Sequence, residues 1–362
     1  DGKWLLSVRS EGKARSAGQV RAWPLEGQDG GAHRVLIEQP AGAFSFAYLE
    51  VDPSGEHVAV GSTRDGGRVY VVPVAGGPVR ELECSRPPSG GMTYDLAFSP
   101  DGRLLAAVQA RVDTAQTAVQ VWDLESGDTR EVGLAGGYTT SLRFVDNHRL
   151  AWTGYGGSFE SHRGFADEDG EERVFDLATG AVEVRSESRG DEWLRFVSAS
   201  GSLVLTVRSK GEWTDFDLDL FITDVGTGRT NRVTSHGEDP FVAAFDPSEQ
   251  IIVTGGVEDG LVRVGPVTGE EPHLLLGHQG MIMMVVVSPD GRWIASASDD
   301  GTVRLWPMPD LSKPPLHTLP QDRLIAKLET LTNLRAVRDE DSPTGWKVEF
   351  GPFPGWAEAP EW

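Results

Sequence analysis

Eight histidines are the residues of this chain best suited to metal or acid–base chemistry, and their spacing argues against both. His33, His57, His148, His162, His236, His273, His278 and His317 show neither the paired helical spacing of zinc hydrolases nor a Cys-His cluster. No serine lies in a Gly-x-Ser-x-Gly elbow, and no glycine-rich loop carries the lysine of a phosphate cradle. Paired carboxylates are plentiful, but they fall in turns, where solvation is the ordinary outcome. Asp167-Glu168-Asp169-Gly170 has the acidic start of a calcium loop without its spaced oxygen ligands or closing glutamate. The expectation is no catalysis, no cofactor and no metal.

Recognition is the chemistry that remains. One stretch combines Phe159, Glu160, His162, Phe165, Asp167 and Asp169, and another combines Trp213, Asp215, Phe216 and Asp217. Asp191 and Trp193 lie between them. Aromatics among carboxylates would anchor a basic or amphipathic protein segment, ring area giving affinity and charge giving steering. The same rings folded back over the chain's own surface would be local packing.

The charge balance sharpens the partner. Thirty-three basic against 55 acidic residues give −22, which disfavours a nucleic-acid backbone or an anionic membrane and also keeps a large surface soluble. A lone cysteine, Cys84, forms no internal disulfide and fits a reducing, cytoplasmic setting. No apolar run reaches the ~20 residues of a membrane span, and no charged-then-apolar leader opens the chain.

The elements that position these stretches repeat. A tight turn recurs at Asp1-Gly2, Asp52-Pro53-Ser54-Gly55, Ser99-Pro100-Asp101-Gly102, Val145-Asp146-Asn147, Ser198-Ala199-Ser200-Gly201, Asp246-Pro247-Ser248-Glu249 and Ser288-Pro289-Asp290-Gly291. Short apolar strands flank most of these turns, among them Leu104 to Val108 and Val242 to Phe245. A third strand follows in each unit, as at Val20–Trp23, Val119–Trp122, Val262–Gly265 and Val303–Trp306. Strands this short bury both faces only when stacked as radial sheets.

The unit from Gly277-His278 through Asp299-Asp300-Gly301 to Trp306 resembles one repeat of the tryptophan-aspartate (WD) family. The resemblance implies an all-β, seven-bladed propeller of four-stranded antiparallel blades over residues 1–320. It also implies a structural tetrad of His278, Ser298 (or Ser296), Asp300 and Trp306, hydrogen-bonded across the blade. Only Trp23, Trp122 and Trp306 keep the tryptophan, and only Gly277-His278 keeps the Gly-His pair. Other blades must therefore rely on ordinary packing.

In such a blade the turns between the second and third strands lie on one face of the ring. Four are expanded: Ser10 to Gly18, Ala110 to Thr117, Gly156 to Glu171 and Ser209 to Asp219. Long connections on a rigid scaffold are common recognition sites. Residues 321–362 read as a C-terminal region docked on the ring. It comprises a short helix from Asp322 with Leu324, Ile325, Leu328 and Leu331 on one side, then a strand at Trp346–Phe350 and an aromatic tail. That ending is similar to tails of bacterial WD-repeat proteins that carry a kinase, protease or nucleotide-switch domain upstream.

The chain opens as Asp1-Gly2-Lys3-Trp4, the counterpart of Asp290-Gly291-Arg292-Trp293, so blade one is expected to lack its inner strand. Either residues upstream or the tail segment Val348-Glu349-Phe350-Gly351-Pro352, an echo of Leu96–Pro100, would supply it. The functional expectation is an interaction scaffold or sensor within a larger bacterial signalling or defence protein. The alternative is a gating lobe of a hydrolase or protease.

Overall fold

In the computed structural model the described residues are 4–9, 19–25, 33–38, 46–62, 67–83, 92–111, 116–136, 138–155, 170–188, 192–209, 218–237, 239–324, 334–338 and 346–350. They form seven antiparallel sheets in chain order, arranged as a seven-bladed propeller. Blade one holds β1 (Trp4–Arg9), β2 (Gln19–Pro24) and β3 (Arg34–Glu38). Blade two holds β4 (Phe46–Val51), β5 (His57–Ser62), β6 (Val69–Pro73) and β7 (Arg80–Leu82). Blade three holds β8 (Met92–Phe98), β9 (Leu104–Arg111), β10 (Gln116–Asp123) and β11 (Thr129–Gly136). Blade four holds β12 (Tyr138–Phe144), β13 (Arg149–Tyr155), β14 (Gly170–Asp176) and β15 (Val182–Ser188).

Blade five follows with β16 (Glu192–Val197), β17 (Leu203–Ser209), β18 (Leu218–Asp224) and β19 (Thr230–Val233). Blade six has β20 (Pro240–Phe245), β21 (Ile251–Gly256), β22 (Val262–Pro266) and β23 (His273–Leu275). Blade seven has β24 (Ile282–Val287), β25 (Trp293–Ser298) and β26 (Val303–Pro307). A separate hairpin joins β27 (Leu334–Arg338) to β28 (Trp346–Phe350). Of the expected C-terminal helix, residues 321–324 are helical, and Ile325, Leu328 and Leu331 lie outside the described residues.

Within every blade the strands follow one another as hairpins, so each ladder is local in sequence. The inner strands of blades two to seven each carry a register shift near their start, as between Phe46 and Tyr48 or between Ile282 and Met284. A bulge of this kind raises local twist and turns each strand to meet its neighbour. The core lies between blades: Leu96, Phe98 and Leu105 pack with Val69 and Trp122, and Val242, Val253 and Val264 pack with Ile282 and Ile294. Full burial of such side chains stabilises by about 1.5–3 kcal/mol each.

The recurring turns explain themselves chemically. Gly55, Gly102, Gly201 and Gly291 all have φ near +70°, a conformation glycine adopts without strain. Blade six puts Glu249 there instead, at φ 58°. Its carboxylate accepts hydrogen bonds from Ser200 N–H and Oγ–H at 2.6 Å and from Ser202 Oγ–H at 3.0 Å in blade five. Those bonds offset the left-handed backbone and tie two blades together. Asp95 clasps blades three and four, accepting the N–H of Leu142 at 2.9 Å.

Candidate functional site

The acidic-aromatic stretches spring from matching places in adjacent blades. Tyr155 pairs with Gly170 at the far end of the β13–β14 hairpin, and Ser209 with Leu218 at that of β17–β18. Both hairpins are the second-to-third strand pair, so both connections leave from the same face of the ring. Phe159, Glu160, His162, Phe165, Asp167, Asp169, Asp191, Trp213, Asp215, Phe216 and Asp217 fall outside the described residues. Trp193 lies on β16, at the register shift between Glu192 and Leu194 and beside the root of the second connection.

One expected connection is shorter than its sequence implied. Ala110 pairs with Thr117 and Arg111 with Gln116, so β9 and β10 continue into the stretch Ala110 to Thr117. Only residues 112–115 remain between the two strands. Gln109, Arg111 and Gln116 are polar but extended, and ladder pairing outweighed polarity as a loop signal.

Below the two connections the scaffold is tightly charged. Arg143 on β12 donates to the buried Glu172 of β14 at 2.6 Å, and Arg232 to Asp219 at 2.6 Å. The guanidinium of Arg208 stacks 4.5 Å over the Phe221 ring. Asp239, at φ 58°, accepts the N–H of Leu218 at 2.9 Å. That bond ties the end of blade five's connection to the linker into blade six, so linkers and second-to-third turns share this face. Among the described residues, no three His, Cys, Asp or Glu side chains gather as a metal would require.

The tetrad in blade seven is a single relay. Trp306 Nε1–H donates to Ser296 Oγ at 2.9 Å, and Ser296 Oγ lies 2.8 Å from His278 Nε2. His278 Nδ1 lies 2.9 Å from Asp300 Oδ2, which fixes Nδ1 as donor and leaves Nε2 to accept from the serine. Ser298, named first from the sequence, stands outside this relay: its hydroxyl accepts the N–H of Asp300 at 3.2 Å. Both serines lie on the same side of β25, but Ser298 is the last residue of the strand, two positions further along, where its hydroxyl serves the Asp300 turn instead of the histidine. Hydrogen bonds from Thr302, opposed by desolvation and aided by His278, hold the Asp300 carboxyl well below the usual carboxylate range.

Other blades substitute for this relay in different ways. In blade one, Trp23 donates to Ser7 Oγ at 2.8 Å and stacks on His33. In blade three, Ala107 takes the serine's place and Trp122 donates to the carbonyl of Glu83 at 2.7 Å. In blades four and five the same slot holds Trp152 and Thr206, whose buried Nε1 and Oγ1 have no partner among the described residues.

Blade six has a second buried histidine that the Gly-His pattern missed. His236 Nδ1 meets Thr254 Oγ1 at 2.9 Å, the slot that Ser296 fills in blade seven. Gly265 stands where the tryptophan would be, and a Cβ there would come within 2.8 Å of His236 Nε2. Burial first, and the nearby Arg263 cation second, depress the His236 pKa to about 3. The unfolded chain binds that proton near pH 6.5, so this contribution to stability is lost as pH falls from about 6.5 toward 3. Thermal unfolding between pH 7 and 4.5 will show wild type losing up to about 1.4 kcal/mol per pH unit more than His236→Gln.

Comparison with known proteins agrees with this architecture. Residues 269–307 match the family described as WD domain, G-beta repeat. A serine-threonine kinase receptor-associated protein of Gallus gallus is 44% identical over 64 residues, covering 18% of each chain. Striatin-4 of Mus musculus is 24% identical over 225 residues, covering 60% of this chain and 21% of that protein. The matched stretches thus span about a fifth of these relatives. Among solved structures, an oligogalacturonate lyase in complex with manganese aligns with TM-score 0.60 at 11% identity, covering 86% and 98% of the two chains. A chain of the mitotic checkpoint complex aligns with TM-score 0.57 at 14% identity, covering 85% and 86%. At such identities the shared property is the fold.

Proposed function

We propose that this chain, a seven-bladed β-propeller of the WD-repeat family, is a non-enzymatic scaffold that docks a basic or amphipathic protein segment. The observation that carries the reading is the shared origin of two acidic-aromatic connections on one face of blades four and five. With their roots on one face of adjacent blades the two connections would stand side by side, and their carboxylates would steer a basic ligand toward Trp193, Trp213 and Phe216. The WD-repeat relatives and the net charge of −22 support a protein rather than a nucleic acid as partner. The resemblance of the tail supports a place in a larger bacterial signalling or defence protein, in the cytoplasm.

The test is a fluorescence anisotropy titration with a panel of Lys/Arg-rich amphipathic peptides. At least one peptide binds wild type, binds it more weakly as salt rises, and loses tenfold or more affinity for the Trp213→Ala/Phe216→Ala double variant. Equal binding by a correctly folded double variant would place the docking face elsewhere.

A further inference from the structure

Among the described residues, blade one lacks an inner strand. Among the described strands, β1 pairs with β2 alone, so its inner edge presents unpaired backbone N–H and C=O groups. In the next six blades that edge is covered by an inner strand: β4, β8, β12, β16, β20 or β24. Beside β1 lies a groove of 410 Å³ lined by Trp4, Leu6, Leu49, Met284, Val286 and their neighbours.

Its walls are apolar residues missing a cover. Met284 and Val286 on β24 are 50% and 46% exposed, whereas their counterparts Val242 in blade six and Ala97 in blade three are 9% and 5% exposed. On the opposite wall Val51 is 40% exposed, against 9% for its counterpart Phe98. Exposed apolar side chains therefore flank, on both neighbouring blades, the place where one strand is lacking. The groove has the hydrogen-bonding edge and the two apolar walls that an added antiparallel strand requires.

We propose that this groove is the seat of blade one's inner strand and that its occupant is the chain's own segment Val348–Pro352. The repeats say what fits. Leu49-Glu50-Val51-Asp52-Pro53, Leu96-Ala97-Phe98-Ser99-Pro100, Ala243-Ala244-Phe245-Asp246-Pro247 and Val285-Val286-Val287-Ser288-Pro289 fill the equivalent place elsewhere. Val348-Glu349-Phe350-Gly351-Pro352 has the same order of apolar, turn and proline positions. Its residues Val348–Phe350 are already extended in β28, and among the described residues β28 pairs with β27 along one edge only. Its other edge meets β1 without sacrificing a hydrogen bond.

Register follows from blade two, where Val51 faces Val58, Glu50 faces Ala59 and Leu49 faces Val60. Transferred to blade one, Phe350 faces Leu5, Glu349 faces Leu6 and Val348 faces Ser7. Alternation then turns Val348 and Phe350 toward Met284 and Val286.

The full chain tests this in two ways. By hydrogen exchange, the amides of Leu5–Val8 are protected at least 100-fold more in wild type than in Val348→Pro, whose new proline cannot donate to a ladder. In a Cys84→Ser background, Leu6→Cys/Glu349→Cys forms an intramolecular disulfide whose yield is independent of protein concentration. Equal protection of β1 in both proteins would mean that another strand, or none, fills the groove. Exclusive cross-linking of a comparison pair, Ala336→Cys/Val348→Cys, which reports the β27–β28 hairpin alone, would overturn the proposal as well.

Discussion

Ser296→Ala lowers the stability of the fold by about 3 kcal/mol, while Ser298→Ala, two residues along the same strand, costs less than about 1 kcal/mol. The difference lies in what each hydroxyl serves. Ser296 receives the indole N–H of Trp306 and contacts the wholly buried ring of His278. Removing it strands two polar groups where water does not reach them easily, and each such loss costs about 1–3 kcal/mol. Ser298 accepts a single long bond from the Asp300 amide at a half-buried turn. Urea unfolding of the two variants measures both values directly, provided the slopes stay equal. Comparable midpoints for the two variants would show that the relay contributes little.

Gly255→Ala is the second large effect, at about 2–3 kcal/mol. Gly255 lies within β21, and a Cβ built there falls 2.6 Å from Ile282 Cβ and 2.9 Å from Val242 Cγ2. These atoms belong to β24 and β20, the inner strands of two neighbouring blades, and Ile282 is fully buried. The added methyl group therefore pushes the blades apart rather than displacing a flexible tip. Gly226→Ala supplies the contrast, because its nearest atom is Asp224 Oδ1 at 3.5 Å and its φ is ordinary. That change stays within about 0.5 kcal/mol. In an Ile282→Ala background the cost of Gly255→Ala shrinks by at least about 1 kcal/mol, which a double-mutant cycle resolves.

The seven sheets were legible because turn chemistry recurs at regular intervals, and period survives when individual residues change. The details that escaped were substitutions within the period. His236 was hidden because Ser235 replaces the glycine and Gly265 replaces the tryptophan, although the imidazole still meets a hydroxyl from the second strand. Glu249 could not be recognised as a glycine substitute until its three serine contacts were placed. Ser296 and Ser298 face the same side of the strand and differ only in their place along it, which the sequence does not decide without knowing which of the two lies level with the histidine. The connection in blade three is shorter than its sequence suggests because polar residues in extended pairing look like a loop. For the acidic-aromatic site, the structure positions the roots, Tyr155 with Gly170 and Ser209 with Leu218, and its neighbour Trp193.

Among the described residues each blade's sheet is made from consecutive hairpins, and no ladder passes from one blade to the next. Backbone pairing can consequently mature blade by blade, with modest loop-closure entropy at each stage. The distant events are the meeting of the first and seventh sheets and the proposed seating of β28 on β1, which join opposite ends of the chain. Circularly permuted versions that open the ring at a different linker would keep every hairpin ladder intact, make the proposed β28–β1 pairing local, and change which pair of sheets must find each other last.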